Sequence, residues 1–285
     1  MLSMAKQNLG KLNRLQHELP EWMLVDAAWL EAKGYSSSLR SQYVTAGWLN
    51  QPARRVYRRA RGPLIWEQVV TSLQSALDHP LTVGGRTALE AQGYAHYLKG
   101  AVSEVHLYGP EPPPSWLATL PLETAFRYHN SCKLFDSDPG PSEPGAGKPK
   151  GELADDPHPI LRPGGFLSTS GGAISWPLRY SSPERAMLEL LDELPDHESF
   201  HQVDVLMEAM ANLSPRRLQS LLMICRSVKV KRLFFFFADR HHHRWLAQLD
   251  KSAVDLGAGK RVLVKGGVLN KHYHITVPGD MNGAA

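Results

Sequence analysis

Five arginines lie within eight residues of one another early in the chain, and no acidic residue stands among them: Arg54, Arg55, Arg58, Arg59 and Arg61. Arginine side chains can bind the phosphates of a nucleic acid or insert into its minor groove. Each phosphate that an arginine neutralises releases counterions, so such binding weakens steeply as salt is added. The cluster therefore favours a nucleic-acid contact, and the alternative is a solvated basic loop that contributes only solubility.

A polar surface is predicted directly before the arginines. Leu39, Tyr43 and Ala46 follow one another at spacings of four and three residues, so we expect residues 37–47 to form a helix that turns these side chains inward. The outward face is polar and consists of Ser37, Ser38, Ser41 and Thr45, with Arg40, Gln42 and Val44 on its flanks. In the major groove arginine can pair with guanine and glutamine with adenine, whereas serine and threonine can reach phosphates or bases. The alternative is the solvated face of a small helical domain.

Other local signals predict the elements that would hold these two surfaces. Apolar spacing indicates helices over residues 6–17 and 24–32. Residues 50–53 have the composition of a turn, and residues 56–57 favour a strand. Three helices followed by a basic hairpin form the outline of a winged helix-turn-helix, which we expect to occupy residues 1–62.

The distribution of charge supports this division. The net charge of +4 over 285 residues divides into +6 for residues 1–62, −4 for residues 63–179 and +2 for residues 180–285. A basic surplus concentrated in the first segment indicates a module that binds a polyanion, joined to a part with another task. The acidic middle segment would repel DNA.

Residues 63–285 mix helical and strand patterns, which predicts an α+β fold for the whole chain. Helices are expected at residues 66–77, 88–92, 200–213 and 216–225, with a further one that starts after Ser182. Strands are expected at residues 81–83, 102–108, 261–264 and 273–277, and residues 228–237 fit either a helix or a buried strand. Residues 136–159 are rich in Pro, Gly, Ser and Asp, so we expect a mobile surface loop there.

The composition also bears on the cellular compartment. No apolar run approaches the roughly 18–20 residues that span a bilayer, and the N-terminus has no signal-peptide pattern. Cys132 and Cys225 are too few for a disulfide scaffold and fit a reducing cytosol. We therefore expect a soluble cytoplasmic protein with no membrane partner.

Signals for catalysis or metal binding are weak. The adjacent histidines at residues 241–243 would diverge by about 100° per residue on a helix, so they could not converge on one ion. No zinc-site spacing accompanies them. The segment Gly84-Gly85-Arg86-Thr87 lacks the spacing and the lysine of a P-loop, and it more simply makes a turn that caps the next helix. No partner arrangement is evident in the sequence for His79, His96 and His106, and we expect no catalytic residue, no metal and no cofactor.

Seven short segments, taken in order, carry a resemblance: AWLEAKGY at 28–35, SQYVTAGWL at 41–49, VGGRTAL at 83–89, SPERA at 182–186, CRSVKVKR at 225–232, DLGAGKR at 255–261 and YHITVP at 273–278. No single segment is specific, but the ordered set resembles the AbiEi antitoxin family of type IV toxin–antitoxin systems. The resemblance spans most of the chain outside the Pro- and Gly-rich stretch.

The resemblance implies a bacterial protein with two tasks. The winged helix would bind inverted repeats in double-stranded operator DNA and repress its own operon. The antitoxin domain, residues 63–285, would counteract a nucleotidyltransferase toxin, and the two proteins need not form a stable complex. Inverted repeats suit a dimer or two monomers bound side by side, and we expect a monomer or weak dimer that binds DNA cooperatively.

A second basic surface is expected in the last third. Some relatives use a basic face of the C-terminal domain to help hold DNA, and that face would here consist of Lys229, Lys231, Arg232, Lys260 and Arg261. It would bind DNA or take part in toxin neutralisation. The alternative is an ordinary charged surface that the glutamates of neighbouring helices balance.

Two other functional classes stay open at the level of sequence. One is a nucleic-acid-processing enzyme whose winged helix delivers substrate to a site around residues 241–244. The other is a ligand-sensing transcriptional regulator that has no toxin partner. A stoichiometric transition metal at residues 241 and 243 would favour the enzyme, and an adjacent nucleotidyltransferase reading frame would favour the antitoxin.

Overall fold

The computed structural model describes residues 2–59, 62–94, 102–136, 160–162, 164–168 and 178–281. Arg61 and nearly all of the loop expected at residues 136–159 lie outside the described residues. The described chain combines helices with strands, which confirms the predicted α+β fold. Within it, no helix has both the length and the apolar character needed to span a bilayer.

The N-terminal part has the element order of a winged helix-turn-helix. Its helices are α1 (Leu2–Glu18), α2 (Ala27–Ala32) and α3 (Ser37–Thr45), and its strands are β1 (Leu24–Asp26), β2 (Asn50–Ala53) and β3 (Val56–Arg58). The strands form an antiparallel sheet in the order β1-β3-β2, so β2 and β3 are the arms of the wing. The apolar core of this part includes Leu15, Leu19, Leu30, Leu39, Tyr43 and Leu49.

The prediction of one helix over residues 24–32 is wrong. The first three of these residues form β1, which pairs with β3, and α2 starts only after Asp26. The Asp26 carboxylate accepts a hydrogen bond from the backbone N–H of Trp29 at 2.8 Å. A side-chain acceptor at this position satisfies an N–H group that has no partner within the helix, so it marks the helix start.

The wing begins earlier than expected. Residues 50–53, which the sequence indicated as a turn, form β2, and the chain reverses at Arg54 and Arg55. Arg55 has a φ of 67°, in the left-handed region that tight reversals use. Ala46, which was expected to face inward, is exposed because α3 ends at Thr45.

The second part is built on a mixed six-stranded sheet. Its strands are β4 (Thr82–Val83), β5 (Glu104–Gly109), β6 (Ala125–Asn130), β7 (Ile160–Arg162), β8 (Phe166–Ser168) and β9 (Arg179–Ser181), in the spatial order β6-β5-β4-β9-β8-β7. The pairs β5–β6 and β4–β9 are parallel, and the other neighbours are antiparallel. The sequence did not predict β6 to β9. Strands β7, β8 and β9 have only three residues each, too few for a period of two to be evident. The alternation of Phe126 and Tyr128 with polar residues was a signal for β6 that the prediction missed.

The helices of the second part agree with most of the predicted ones. They are α4 (Trp66–Ser75), α5 (Gly85–Ala91), α6 (Ser131–Leu134), α7 (Pro183–Asp192), α8 (Phe200–Ala209), α9 (Pro215–Ile224) and α10 (Val228–His241). A hairpin of β10 (Val268–Asn270) and β11 (Ile275–Val277) follows. The strand predicted at residues 261–264 is wrong, since Arg261 forms only an isolated bridge with Ile275.

The ambiguous segment at residues 228–237 is helix α10. Ser227 caps it, because its hydroxyl accepts a hydrogen bond from the Val230 backbone N–H at 3.3 Å. Residues 233–238 are apolar and all of them are buried. A helix that is apolar on every side belongs inside a core, and α10 packs between α7, α8 and the final hairpin.

The two apolar cores meet at the sheet of the winged helix. Leu24 and Val56 pack into the larger core, whereas Val25 and Tyr57 pack into the core of the winged helix. Successive residues of a strand point to opposite faces, so β1 and β3 form a wall that both cores share. The backbone N–H of Leu24 also donates to the Ser72 hydroxyl of α4 at 2.8 Å.

Close packing against α7 explains the two adjacent glycines at the start of α5, Gly84 and Gly85. The backbone N–H of Gly85 donates to the Glu189 carboxylate at 2.9 Å, and that carboxylate forms a fully buried ion pair with Arg185. A Cβ on Gly84 would overlap the Glu189 carboxylate and the ring of Tyr108. The two glycines therefore begin α5, as predicted, and their lack of side chains also leaves room for the buried Glu189 carboxylate.

Candidate DNA-binding surface

The exposed face of α3 is polar and uncharged. The Ser36 hydroxyl caps the helix by accepting a hydrogen bond from the Leu39 backbone N–H at 3.4 Å, while Leu39 and Tyr43 are buried beneath it. The side chains left in solvent are those of Ser37, Ser38, Ser41, Gln42 and Thr45. This is the face that the helical spacing predicted, and it offers hydroxyl and amide groups that can pair with bases or phosphates.

Arg40 does not belong to that face, which corrects the sequence-based expectation. Its side chain is only 6% exposed, and its guanidinium donates to the backbone carbonyls of Tyr35 at 2.6 Å and Ala27 at 3.5 Å. The same group lies 6.0 Å from the ring centre of Tyr57. Carbonyl groups in the turn before α3 have no helical donor, so a buried guanidinium there stabilises the turn that joins α2 to α3.

The two arginines at the tip of the wing are exposed. Arg54 and Arg55 form the reversal between β2 and β3. They line a cleft of about 630 Å³ between the start of α2 and a 3-10 helix at Ser115–Thr119. The Arg55 carbonyl accepts a hydrogen bond from the Ala27 backbone N–H at 2.8 Å, which holds the tip beside α2. Both side chains are therefore exposed for contact with a polyanion, and the backbone that carries them is held in a defined position.

The next two arginines of the cluster hold the wing in place. Arg58 is 5% exposed and donates to the backbone carbonyls of Gly62 and Pro63, and burial lowers the pKa of its guanidinium. Arg59 donates to the carbonyls of Gln16 at 2.8 Å and Leu19 at 2.9 Å. These carbonyls lie at the end of α1, where the helix dipole favours a cation.

The expectation that all five arginines face DNA is therefore corrected for Arg58 and Arg59. Arg59 also pairs with Glu21 at 3.4 Å, so its charge is partly neutralised. Arg61 lies outside the described residues. The sequence carried one signal of this outcome. Arg58 lies two residues after Val56 on β3, so both side chains point to the same face, and the face that buries Val56 also buries Arg58.

The second basic surface is not assembled as expected. Lys231 and Arg232 are buried, and the Arg232 guanidinium donates to the carbonyls of Leu256, Gly257 and Gly259. Lys229 donates to the carbonyls of Asp192 and Leu194. Lys229 and Arg232 thus join α10 to the chain segments packed against it, because helix-end and loop carbonyls there require donors. Lys260 and Arg261 are exposed.

The three adjacent histidines anchor the end of α10. His241 lies 2.8 Å from the Asp204 carboxylate of α8, and His243 lies 2.7 Å from the Met207 carbonyl. His242, with a φ of 49°, adopts the left-handed conformation that ends the helix. His241 and His243 therefore have separate partners on α8, while their rings stack with centres 5.9 Å apart.

Two family models match the chain. Residues 8–100 match the AbiEi antitoxin N-terminal domain of transcriptional regulators, and residues 173–278 match the transcriptional regulator described as AbiEi antitoxin of type IV toxin–antitoxin systems. The chain belongs to the AbiEi antitoxin family. This family consists of transcriptional regulators rather than enzymes, and the first matched region contains all of α3 and the wing.

A solved structure shares the fold of this AbiEi family member. It is the crystal structure of the RV2827C protein from Mycobacterium tuberculosis, with 14% sequence identity and a TM-score of 0.54. The match covers 93% of this chain and 88% of that chain. No curated protein sequence matches the chain. At that identity the likeness supports the arrangement of the elements alone.

Proposed function

We propose that this protein binds inverted repeats in operator DNA through the exposed face of α3 and the wing tip, and that it represses its own operon. The observation that carries the proposal is that one part of the chain, which matches the regulator family, presents both a polar helix face and two exposed arginines at the wing tip. The α3 side chains enter the major groove, and Gln42 pairs with an adenine edge. Arg54 and Arg55 bind phosphates or enter the neighbouring minor groove.

The salt dependence of binding tests the wing. A labelled duplex from the promoter of the gene is titrated with protein in fluorescence anisotropy at several salt concentrations. Changing Arg54 and Arg55 to alanine should weaken binding to every sequence and reduce the slope of log affinity against log salt by about 2, since two phosphate contacts are lost. The matched control changes two exposed arginines of the second part, Arg216→Ala and Arg244→Ala. Equal slopes for the wing variant and the unaltered protein would reject the wing contact.

Base selectivity tests α3. Gln42→Ala should lower the preference for the operator over a scrambled duplex by about 1–3 kcal/mol, the value of one good bidentate base contact. Its salt slope should stay unchanged, because the amide neutralises no phosphate. Selectivity equal to that of the unaltered protein would place base recognition elsewhere.

We also propose that the part after residue 62 counteracts a nucleotidyltransferase toxin, and that the chain divides near that residue into the two functional parts. The support is the match of residues 173–278 to the antitoxin model. Expression of an adjacent nucleotidyltransferase gene should arrest growth, and co-expression of this protein should restore it. The Arg54→Ala, Arg55→Ala variant should restore growth equally well. Failure of the unaltered protein to rescue would favour a regulator without a toxin partner.

A further inference from the structure

Three potential metal ligands from distant parts of the chain meet beside the edge strand of the large sheet. His106 lies on β5 and His129 on β6, and the register places His129 opposite Tyr108. Because residues two apart on a strand share a face, the two imidazoles are diagonal neighbours on one face of the parallel pair. Glu193, directly after α7, approaches the same face.

The distances between these groups are short. Nδ1 of His106 lies 3.0 Å from Nε2 of His129, and Nδ1 of His129 lies 3.1 Å from Oε1 of Glu193. One ligand atom from each residue lies within 4.8 Å of those of the other two. His106 and Glu193 are more than nine-tenths buried. The cluster is thus compact and largely shielded from water.

Hydrogen bonding within the protein leaves acceptor atoms of this cluster unsatisfied. Oε2 of Glu193 is buried and has no hydrogen-bond partner among the described residues. If each imidazole carries one proton, His129 donates to Glu193 and His106 donates to His129. The remaining nitrogen of His106 then presents a lone pair to the Glu104 carboxylate at 3.5 Å, which is repulsive. Buried acceptors in this state are unfavourable, and a cation, either an added proton or a metal ion, would satisfy them.

We propose that His106, His129 and Glu193 bind a divalent transition-metal ion of the zinc class. Two imidazole nitrogens and one carboxylate oxygen match the ligands that zinc prefers, whereas magnesium and calcium favour oxygen alone. Zinc bonds of about 2.0–2.1 Å at tetrahedral angles hold ligand atoms about 3.3–3.4 Å apart. Nδ1 of His106 and Nε2 of His129 would separate by a few tenths of an ångström and exchange their shared proton for the ion. The Glu193 carboxylate, which lies against the other nitrogen of His129, would turn toward the ion.

Neighbouring side chains would orient the ligands. The ring of Tyr108 stacks on His129 with centres 4.4 Å apart, and Arg127 pairs with Glu104 at 2.9 Å beside His106. Groups of this kind fix the direction of imidazole ligands. A bound ion would join the end of α7 to β5 and β6, so its effect is expected on the stability of the second part of the chain. This inference does not depend on the proposed DNA and toxin functions.

The test is metal binding by full-length protein freed of its affinity tag and stripped with a chelator. Co²⁺ is added as a spectroscopic probe and Zn²⁺ in calorimetry and thermal unfolding. We expect one ion per chain, visible absorption typical of four-coordinate Co²⁺, and a melting temperature that rises with Zn²⁺, since a ligand that binds only the folded state stabilises it. Absence of stoichiometric binding by the unaltered protein would overturn the proposal, because the cluster would then be only a hydrogen-bonded chain.

Variants locate the ion. His129→Ala and the near-isosteric Glu193→Gln should each weaken Zn²⁺ binding at least tenfold and abolish the rise in melting temperature. The matched control is His201→Ala, which removes an exposed histidine that also pairs with a carboxylate, at 3.3 Å from Asp280. Circular dichroism verifies folding, and Glu193→Gln keeps the test valid if His129→Ala does not fold. Unchanged affinity in folded Glu193→Gln and His129→Ala would assign the ion to another site.

Discussion

Arg54 and Arg55 meet solvent at the wing tip, whereas Arg40, Arg58 and Arg59 each donate to backbone carbonyls at the ends of elements. A guanidinium has five N–H donors in a rigid fork, so one side chain can satisfy several carbonyls that no helix or sheet partner reaches. The same residue type therefore supplies both the proposed DNA contact and the bonds that hold the contact in place.

Truncating Arg40 should lower stability rather than change base recognition alone. Arg40→Ala leaves the buried carbonyl of Tyr35 without its donor, so the free energy of unfolding should fall by about 1–3 kcal/mol. Urea unfolding measures it. Gln42→Ala, on the exposed face of the same helix, is the control and should stay within about 0.5 kcal/mol of the unaltered protein. A stability loss no larger than that of the control would contradict the structural role of Arg40.

The two thiols should differ strongly in reactivity. Cys132 is exposed, whereas Cys225 is buried, and burial raises the pKa of the Cys225 thiol to about 11. The thiolate is the reactive form, so at pH 8 an aromatic disulfide reagent should label one thiol rapidly and the second only on unfolding. Cys132→Ser should remove the fast phase. Two equally fast thiols in the folded protein would show that Cys225 is accessible.

At the scale of elements, α4 and β1 connect the winged helix to the rest of the molecule. Leu24 packs into the larger core, and its backbone N–H has the Ser72 hydroxyl as acceptor. The hydroxyl in turn donates to the Gln68 carbonyl at 2.6 Å, so it serves as both donor and acceptor in one chain of bonds. Because the strand that contributes Leu24 also pairs with β3, this contact helps to fix the orientation of the wing.

Removing that hydroxyl should destabilise the protein. Ser72→Ala leaves the buried Leu24 N–H without a partner, and the free energy of unfolding should fall by about 1–3 kcal/mol. The control is Ser75→Ala in the same helix. The Ser75 hydroxyl also donates to the carbonyl four residues earlier, at 2.6 Å, but Ser75 is exposed. Urea unfolding of both variants is the measurement, and equal losses would show that the Leu24 contact adds nothing.

At the scale of the whole molecule, fewer cations of residues 1–62 are able to contact phosphates directly than the net charge of this segment suggests. Arg40 and Arg58 of that segment are buried, and Arg59 is paired with Glu21. In the last third only Lys260 and Arg261 of the five expected cations are exposed. Arg54 and Arg55 belong to the same winged helix-turn-helix as the polar face of α3, whereas Lys260 and Arg261 lie outside it, so the wing tip should contribute more phosphate contacts than the last third.

Removal of positive charge in the last third should therefore have a small effect on the affinity for DNA. Lys260→Ala combined with Arg261→Ala should change operator affinity by about twofold or less at moderate salt, and it should leave the salt slope nearly unaltered. Anisotropy titrations of this variant and of the Arg54→Ala, Arg55→Ala variant under the same conditions make the comparison. A reduction in slope as large as that of the wing variant would establish a second DNA contact.

The sequence by itself determined the features that depend on local physics. Helix spacing and capping residues predicted α3, α7 and α9, because a cap or an apolar stripe acts within a few residues. The exposed hydroxyl and amide face of α3, the basic hairpin and the family resemblance followed from the same local segments. The α+β class followed from the mixture of these patterns.

Tertiary structure alone decided which polar groups became buried. Residues 24–26 are a strand because β3 pairs with them, and the sequence-local pattern of a helix could not anticipate that pairing. Arg232 faces inward because the Leu256 carbonyl, 24 residues further along the chain, lies beside it. Arg40 and Arg58 face inward to loop carbonyls only five residues away, because the packing of the elements encloses those loops. His106, His129 and Glu193 likewise come together only through the parallel pairing of β5 with β6 and the position of α7. Contacts between residues far apart in the chain depend on how the elements pack, and spacing along the sequence does not encode them.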